Sequence, residues 1–281
     1  MIKTLSSCAV AMLGLVIACT VHAGLRYTIE TDILQGDKKV QKERFVDEIT
    51  VDGEKARIDF LAQNGSKPKN GGFILTVDGG KTFALSDGGE AVCSDWSTDD
   101  FFSTVGKMLD KGTRFINADL EEAKFEKVLE EPGPEMHGYP TTHLRLLTSF
   151  AAKGKILFMR FEYGAEVTDE VWMTSGLKLP AHERKWLEAT AKTGFDYIDK
   201  LVAAWNAEVS GTVLKQRSVV RLTNLDSKET STKTEIIEVT RLEMLDSGQI
   251  PEGTFTMPRC KQVDKNEMEE EAKRFIKKSL K

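Results

Sequence analysis

Cysteine and histidine are the side chains best able to carry redox, metal or acid–base chemistry, and this sequence holds four of each. Cys8 and Cys19 lie in the apolar N-terminal segment, which leaves Cys93 and Cys260 in the rest of the chain. No C-x-x-C spacing is present, so a thiol-redox pair is not expected. An isolated pair in an oxidising compartment is more often bridged than free, and we predict a disulfide between Cys93 and Cys260.

The remaining histidines offer little for catalysis. His137 and His143 lie six residues apart, a spacing that would put both on one face of a straight strand, but Pro140 interrupts the segment. We interpret both as solvent-facing, with a metal site or a hydrolase site as the alternative. No nucleophile-elbow, zinc-protease or phosphate-loop motif occurs. The sequence therefore predicts no enzyme, no catalytic residue, no cofactor and no metal.

The charge pattern excludes two classes of partner. The chain has 39 cations against 44 acids, for a net charge of −5, and the two signs are interspersed. Such a balance argues against binding to nucleic acid or to an anionic membrane surface through a basic patch.

The N-terminus has the pattern of a signal peptide over residues 1–23. Lys3 precedes an apolar run, Leu5–Ala18, that is too short to span a bilayer and ends in small residues. Cleavage after Ala23 would start the mature chain at Gly24 in the periplasm, and no second apolar run predicts a transmembrane segment.

A competing processing site lies five residues earlier. Val16–Cys19 fits a lipobox, and cleavage there would leave a lipid-anchored protein attached through Cys19. Only Thr20–Ala23 would then separate the lipid from a strand that starts near Leu25, a reach of about 14 Å at most. We therefore favour the soluble product and keep the lipoprotein as the alternative.

Period-2 alternation and tight glycine turns predict about ten to twelve antiparallel strands. Asp52-Gly53, Asp78-Gly79-Gly80 and Asp87-Gly88-Gly89 are interpreted as hairpin turns rather than phosphate loops. The predicted strands are Leu25–Ile33, Phe45–Val51, Ala56–Ala62, Phe73–Val77, Thr82–Leu85, Glu90–Cys93, Lys124–Glu131, Thr141–Phe150, Lys155–Tyr163, Glu166–Met173, Gly211–Leu225 and Thr230–Leu245.

Helical spacing predicts three helices. One begins near Ser97 and carries Phe101, Phe102 and Met108; a longer one runs from Glu183 to Asn206 with Phe195 and Ile198 on its apolar stripe. The third is a C-terminal amphipathic helix at 265–281, acidic first and basic last. The fold class is thus α+β, an antiparallel meander with helices, and residues 24–264 are predicted to form a single domain.

Some predicted strands carry apolar residues on both faces, more than a sheet with one buried face requires. In the predicted strand Lys155–Tyr163, Phe161 lies among apolar residues on both faces. A plain sheet-and-helix core would explain this, and so would a curved sheet whose concave face holds an acyl chain or a similar ligand. On the second interpretation the helix with Phe101 and Phe102 is a lid. The cavity candidates are Phe101, Phe102, Met108, Phe161, Phe195 and Ile198.

Several segments resemble the LolA/LolB superfamily of periplasmic lipoprotein carriers, and most closely a group of exported bacterial proteins proposed to share that fold. They are VDGEKARIDF, ILTVDGGKTFALSD, EEPGPEMHGYPTTHLRL, VTDEVWMTSGLKLP and IPEGTFTMP. The most specific part is GYPTTHLRL, followed by a strand with Trp172, a long helix and a hairpin.

The resemblance implies an unclosed antiparallel half-barrel whose concave side is covered by helices. It also implies a binding or envelope role without enzyme activity. The partner would be a lipid, an acyl chain or a lipoprotein. An envelope interaction module with a filled core is the alternative, in which the C-terminal helix docks on a protein partner.

Overall fold

A computed structural model of the chain describes residues 24–35, 41–64, 71–86, 90–94, 116–156, 159–177, 196–246, 248–264 and 267. The predicted signal peptide, the predicted helix near Ser97 and nearly all of the C-terminal helix lie outside these ranges.

Twelve strands of the described part of the chain form one sheet in the order β12-β6-β5-β4-β3-β2-β1-β11-β10-β9-β8-β7. All pairings are antiparallel except that of β12 with β6, and the outermost strands β12 and β7 do not pair with each other. The sheet is therefore open, and the predicted antiparallel meander is confirmed. The strands are β1 Gly24–Gln35, β2 Gln41–Asp52, β3 Lys55–Gln63, β4 Gly72–Thr76, β5 Phe83–Ser86, β6 Val92–Ser94, β7 Ile116–Pro132, β8 Thr142–Ile156, β9 Met159–Thr174, β10 Thr212–Asn224, β11 Thr230–Leu245 and β12 Lys261–Gln262.

Two strand boundaries were predicted wrongly. The break predicted at Lys153-Gly154, between Thr141–Phe150 and Lys155–Tyr163, does not occur, because β8 continues through both residues to Ile156 and pairs there with β9. The second concerns Gly164. The sequence predicts a break at Gly164, between Lys155–Tyr163 and Glu166–Met173, but β9 runs through this glycine. Gly164 pairs with Ala151 of β8 and Thr223 of β10. Because the ladder continues on both sides, the strand stays extended there whatever the local propensity of glycine.

The described residues contain a single helix, α1, from Asp196 to Glu208. It forms the C-terminal part of the predicted helix Glu183–Asn206, whose first half lies outside the described ranges. The prediction that several helices cover the concave side is therefore not confirmed. Trp205 of α1 and Val209 just after it pack on Leu144 of β8 and Val171 of β9, so the helix covers one end of the sheet.

The two faces of the sheet differ in chemistry. Residues paired across neighbouring strands share a face, and the register places Leu25, Tyr27, Ile49, Leu144 and Leu146 on the side that α1 contacts, called here the helix-side face.

The opposite face of β7–β11 carries ion pairs between strands. Glu170 of β9 accepts hydrogen bonds from Arg145 of β8 at 2.9 Å and Arg217 of β10 at 3.2 Å. Partial burial alone would raise the pKa of Glu170, but these two arginines outweigh it and lower that pKa below its ordinary value. Lys215 pairs with Glu238 of β11 in the same way, at 2.9 Å. Each such exposed pair contributes little stability, about 0–1 kcal/mol, but the face as a whole is suited to water.

A C-terminal segment covers the opposite face at the other end of the sheet. Phe255 and Met257 pack on Leu75 of β4, and Cys260 is bonded to Cys93 of β6 in a disulfide with a Cα–Cα distance of 5.5 Å. The predicted disulfide is confirmed. Since Cys93 is buried and pairs with Gln262 of β12, the bridge attaches this segment to the edge of the sheet.

The Asp78 turn is confirmed as a hairpin turn. Gly79 and Gly80 have φ values of 70° and 84°, which a residue with a Cβ adopts rarely. The Asp78 carboxylate accepts hydrogen bonds from both the backbone and the hydroxyl of Thr82. Burial raises the pKa of Asp78, but these hydrogen bonds lower it by more, so the net pKa lies below its ordinary value. The carboxylate oxygens therefore accept their hydrogen bonds within the turn.

Candidate functional site

The centre of the helix-side face is an apolar floor that α1 does not bury. Its side chains come from β1, β2, β10 and β11, where the burial pattern changes from buried to partly exposed along each strand. Leu222 of β10, one of its members, is 41% exposed, and Tyr163 of β9 on the same face is 38% exposed. The members of the apolar floor are Ile29, Ile33, Phe45, Val220, Leu222 and Ile237.

A buried carboxylate interrupts this face. Asp169 of β9 is only 7% exposed and lies between Leu146 of β8 and Ser218 of β10. It accepts hydrogen bonds from the Ser218 hydroxyl, from Gln216 at 3.4 Å and from Trp205 of α1. Burial raises the pKa of Asp169 and the three donors only partly offset it, so the net pKa stays above the ordinary value.

The hydrogen bond from Trp205 to Asp169 is one polar attachment of α1 to the sheet. A second attachment lies at the end of α1, where Glu208 accepts from Lys127 of β7 at 2.9 Å. Hydrogen bonds from Lys127 to Glu130 and Glu208 raise the pKa of this lysine. Both attachments are polar, while the contact between them is made by Trp205, Leu144 and Val171.

A second acid on the helix-side face has no such network. Asp47 of β2 is partly buried between Ile29 of β1 and Phe60 of β3. Burial raises the pKa of Asp47. Among the described residues no hydrogen bond or ion pair reaches its carboxylate.

The loop between β7 and β8 closes one end of the face. Met136 and Tyr139 exchange two backbone hydrogen bonds of 2.9 Å and pack beside the buried cluster of Leu25 and Tyr27. His137, at a φ of 52°, bonds through Nε2 to the Val239 carbonyl at 2.6 Å. Because the carbonyl can only accept, this ring nitrogen donates, and the histidine serves to hold the loop.

His143 was predicted to face solvent, and this is wrong. Its side chain is 12% exposed, stacked on Trp172 with 4.6 Å between ring centroids, and Nδ1 lies 3.1 Å from the Glu131 carboxylate. The cause is tertiary: β8 pairs His143 directly with Trp172 of β9, so the indole covers the imidazole. His137 is in the loop rather than on the strand, so the two histidines do not share a site. His182 lies outside the described residues.

The structure leaves the predicted cavity residues untested. Phe101, Phe102, Met108 and Phe195 lie outside the described residues. Phe161 lies in β9 and Ile198 in α1, and only their backbone positions are described. They stay predictions.

Sequence reasoning missed Asp47 and Asp169. The signal was present, because Val167, Asp169 and Val171 alternate on the face that also carries Met173, and one acid in an otherwise apolar face is unusual. The hydrogen-bond donors could not be found in this way, since they come from β10 and α1.

The described residues also bear on metal binding and on membrane insertion. No group of three or more metal-ligating side chains occurs among them. The helix they contain falls short of the length and apolar character that crossing a bilayer requires.

Comparisons with known proteins find likeness only among solved structures. No protein-family model and no curated protein matches the chain. It is similar to a LolA superfamily protein from Nitrosomonas europaea, at 8% identity and a TM-score of 0.26, over 84% of this chain and 91% of that chain. It is also similar to a proposed outer membrane lipoprotein-sorting protein domain from Vibrio parahaemolyticus, at 9% identity and a TM-score of 0.16, over 83% and 89%. The resemblance to the LolA superfamily that the sequence predicted is therefore confirmed as a similarity to solved structures of that superfamily. At these TM-scores the similarity carries no argument about function.

Proposed function

We propose that this chain is a non-enzymatic, exported protein that binds the apolar chain of a lipid or of a lipidated partner on the helix-side face of its sheet. The observation that carries the proposal is the apolar floor, whose side chains stay partly exposed beyond the part of the face that α1 covers. Exposed apolar patches of this kind commonly mark binding surfaces.

The contrast between the two faces supports a ligand rather than a loosely packed core. On β8 to β10 the opposite face pairs its charges across strands, as at Arg145, Glu170 and Arg217. The helix-side face of the same strands presents the apolar side chains of Val167, Val220 and Leu222, which stay partly exposed. A sheet that is polar on one side and half-covered on the other gains free energy when an apolar chain removes the remaining surface from water, at about 25 cal/mol per Å².

Export is proposed from two features of the chain. The pattern of residues 1–23 favours a cleaved signal peptide ending before Gly24, with a lipid anchor at Cys19 as the alternative. The Cys93–Cys260 disulfide fits an oxidising compartment such as the periplasm. The six cavity candidates remain part of the proposal, as residues that would line or close the floor.

The test compares two leucines on opposite faces. Leu222 of β10 is 41% exposed on the helix-side face, and Leu147 of β8 is 36% exposed on the opposite face. Lipid-extracted protein is titrated with the apolar fluorophore 1-N-phenylnaphthylamine. We expect binding that Leu222→Asp weakens by about tenfold or more, since a buried leucine contributes roughly 1.5–3 kcal/mol. Leu147→Asp is the matched control and leaves binding unchanged.

Absence of probe binding by the wild-type protein, or equal losses in both variants, would contradict the proposal. A protein that binds no apolar probe would fit an envelope interaction module instead.

A further inference from the structure

Asp47 is the one partly buried acid described on the central strands of the helix-side face that has neither a hydrogen bond nor an ion pair among the described residues. The register sets it between Ile29 and Phe60, with Phe45 two residues further along β2 on the same face. A carboxylate that is partly buried among apolar side chains is costly unless a donor reaches it. A bound group could be that donor.

Apart from Glu43 of β2, which is exposed, the other described charges that the register places on this face are already paired. Asp169 accepts from Ser218 and Trp205, and Glu235 of β11 pairs with Lys233 at 3.2 Å. Lys127, at the β7 edge, is held by Glu130 and Glu208. On β7–β11 and β1–β3, the lysines of this face within the described residues are therefore paired, and none is left over for an anion.

We infer that Asp47 contacts the polar head of the bound amphiphile, and that this head carries an N–H donor and no negative charge. The inference rests on the proposed function and adds the class of ligand to it. An N–H group beside Asp47 would form a charge-assisted hydrogen bond, which is about twice as strong as a neutral one. An anionic head at the same place would be repelled by Asp47, in surroundings where Ile29 and Phe60 limit screening by water.

The geometry also orients the ligand. With its head at Asp47, an alkyl chain that follows β1 and β2 passes Phe45, which is level with Ile237 across β1, and then Ile33, all partly exposed. These side chains belong to the apolar floor, so the same ligand satisfies the acid and covers the floor.

The experiment uses two probes with the same chain and opposite heads. Dodecylammonium and dodecanoate, both below their micellar concentrations, displace 1-N-phenylnaphthylamine from the full-length mature protein at neutral pH. For the wild type we expect dodecylammonium to displace the fluorophore at a concentration at least about tenfold lower than dodecanoate, in line with one charge-assisted hydrogen bond.

Two variants separate the role of Asp47 from a general effect of charge. Asp47→Asn should weaken displacement by dodecylammonium about tenfold and reduce the preference between the probes. Glu48→Gln removes the same charge from the next residue, whose side chain is on the opposite face, and should leave the preference unchanged. Far-ultraviolet circular dichroism and the midpoint of thermal unfolding verify that both variants fold.

The outcomes distinguish this inference from the proposed function. If the fluorophore binds but the wild type shows no preference, or if both variants change it equally, the inference is overturned and apolar-chain binding stands. If the fluorophore does not bind to the wild type at all, the proposed function itself fails, and the inference fails with it.

Discussion

At the scale of single residues, the acids on the helix-side face are the features that packing alone does not explain. Asp169 is buried with three donors around it, and Asp47 is partly buried without a described partner. A buried carboxylate that has donors is tolerated, whereas an apolar residue of similar size would avoid the desolvation altogether. Both acids therefore carry a desolvation cost on the face that we propose binds a ligand.

The raised pKa of Asp169 makes the free energy of unfolding depend on pH. Because burial raises its folded pKa above the ordinary 3.8, the folded state binds this proton more tightly than the unfolded state. Its contribution is therefore most favourable at low pH and is lost as pH rises through the folded pKa.

We expect Asp169→Asn to remove that loss. Its free energy of unfolding, measured with urea between about pH 4 and pH 7, should rise relative to the wild type as pH increases. Asp226→Asn, in the exposed β10–β11 turn, is the control for the loss of one carboxylate. If the free energies of unfolding of Asp169→Asn and wild type differ by the same amount across this range, the pKa of Asp169 is not raised in the folded state.

At the scale of elements, α1 and the sheet are held together by a small apolar contact. Leu146 is fully buried on the helix-side face in the cluster that includes Trp205, while Leu147 points to the other face and is 36% exposed. Adjacent leucines in one strand thus have opposite environments because side chains alternate.

We predict that Leu146→Ala lowers the free energy of unfolding by about 2–5 kcal/mol, because it leaves a cavity beneath the helix. Leu147→Ala should cost less than about 0.5 kcal/mol. Urea unfolding followed by tryptophan fluorescence measures both. Similar losses in the two variants would mean that the helix does not pack on this face.

Strand prediction succeeded where alternation and turn residues agreed. The hairpin predicted as Gly211–Leu225 and Thr230–Leu245 is found as Thr212–Asn224 and Thr230–Leu245. It failed at Gly164, since a local breaker signal cannot anticipate a ladder on both sides. The environment of His143 was missed for the same reason, because its neighbour Trp172 belongs to another strand.

At the scale of the whole molecule, the disulfide joins residues that are 167 positions apart in the sequence. It ties the segment with Phe255 and Met257 to the strand edge far from α1, so the sheet is covered on opposite faces at its two ends. The apolar floor lies between these two coverings.

We expect the double variant Cys93→Ala/Cys260→Ala to lose about 4–5 kcal/mol of stability through the entropy of the opened loop. Chemical unfolding of the wild type with and without a thiol reductant gives the same comparison. The double variant serves as the control, since reductant should not affect it. Equal stability of the oxidised wild type and the double variant would contradict a stabilising role.

Alternation, glycine turns and cysteine count are local or compositional properties, and they were enough to predict the antiparallel meander, most strand positions and the Cys93–Cys260 pair. The folded sheet alone shows which residues share a face. It placed Asp47 between Ile29 and Phe60, and Asp169 beside Ser218 and Trp205. These neighbours come from strands and a helix distant in sequence, and their register depends on the packing of the whole sheet.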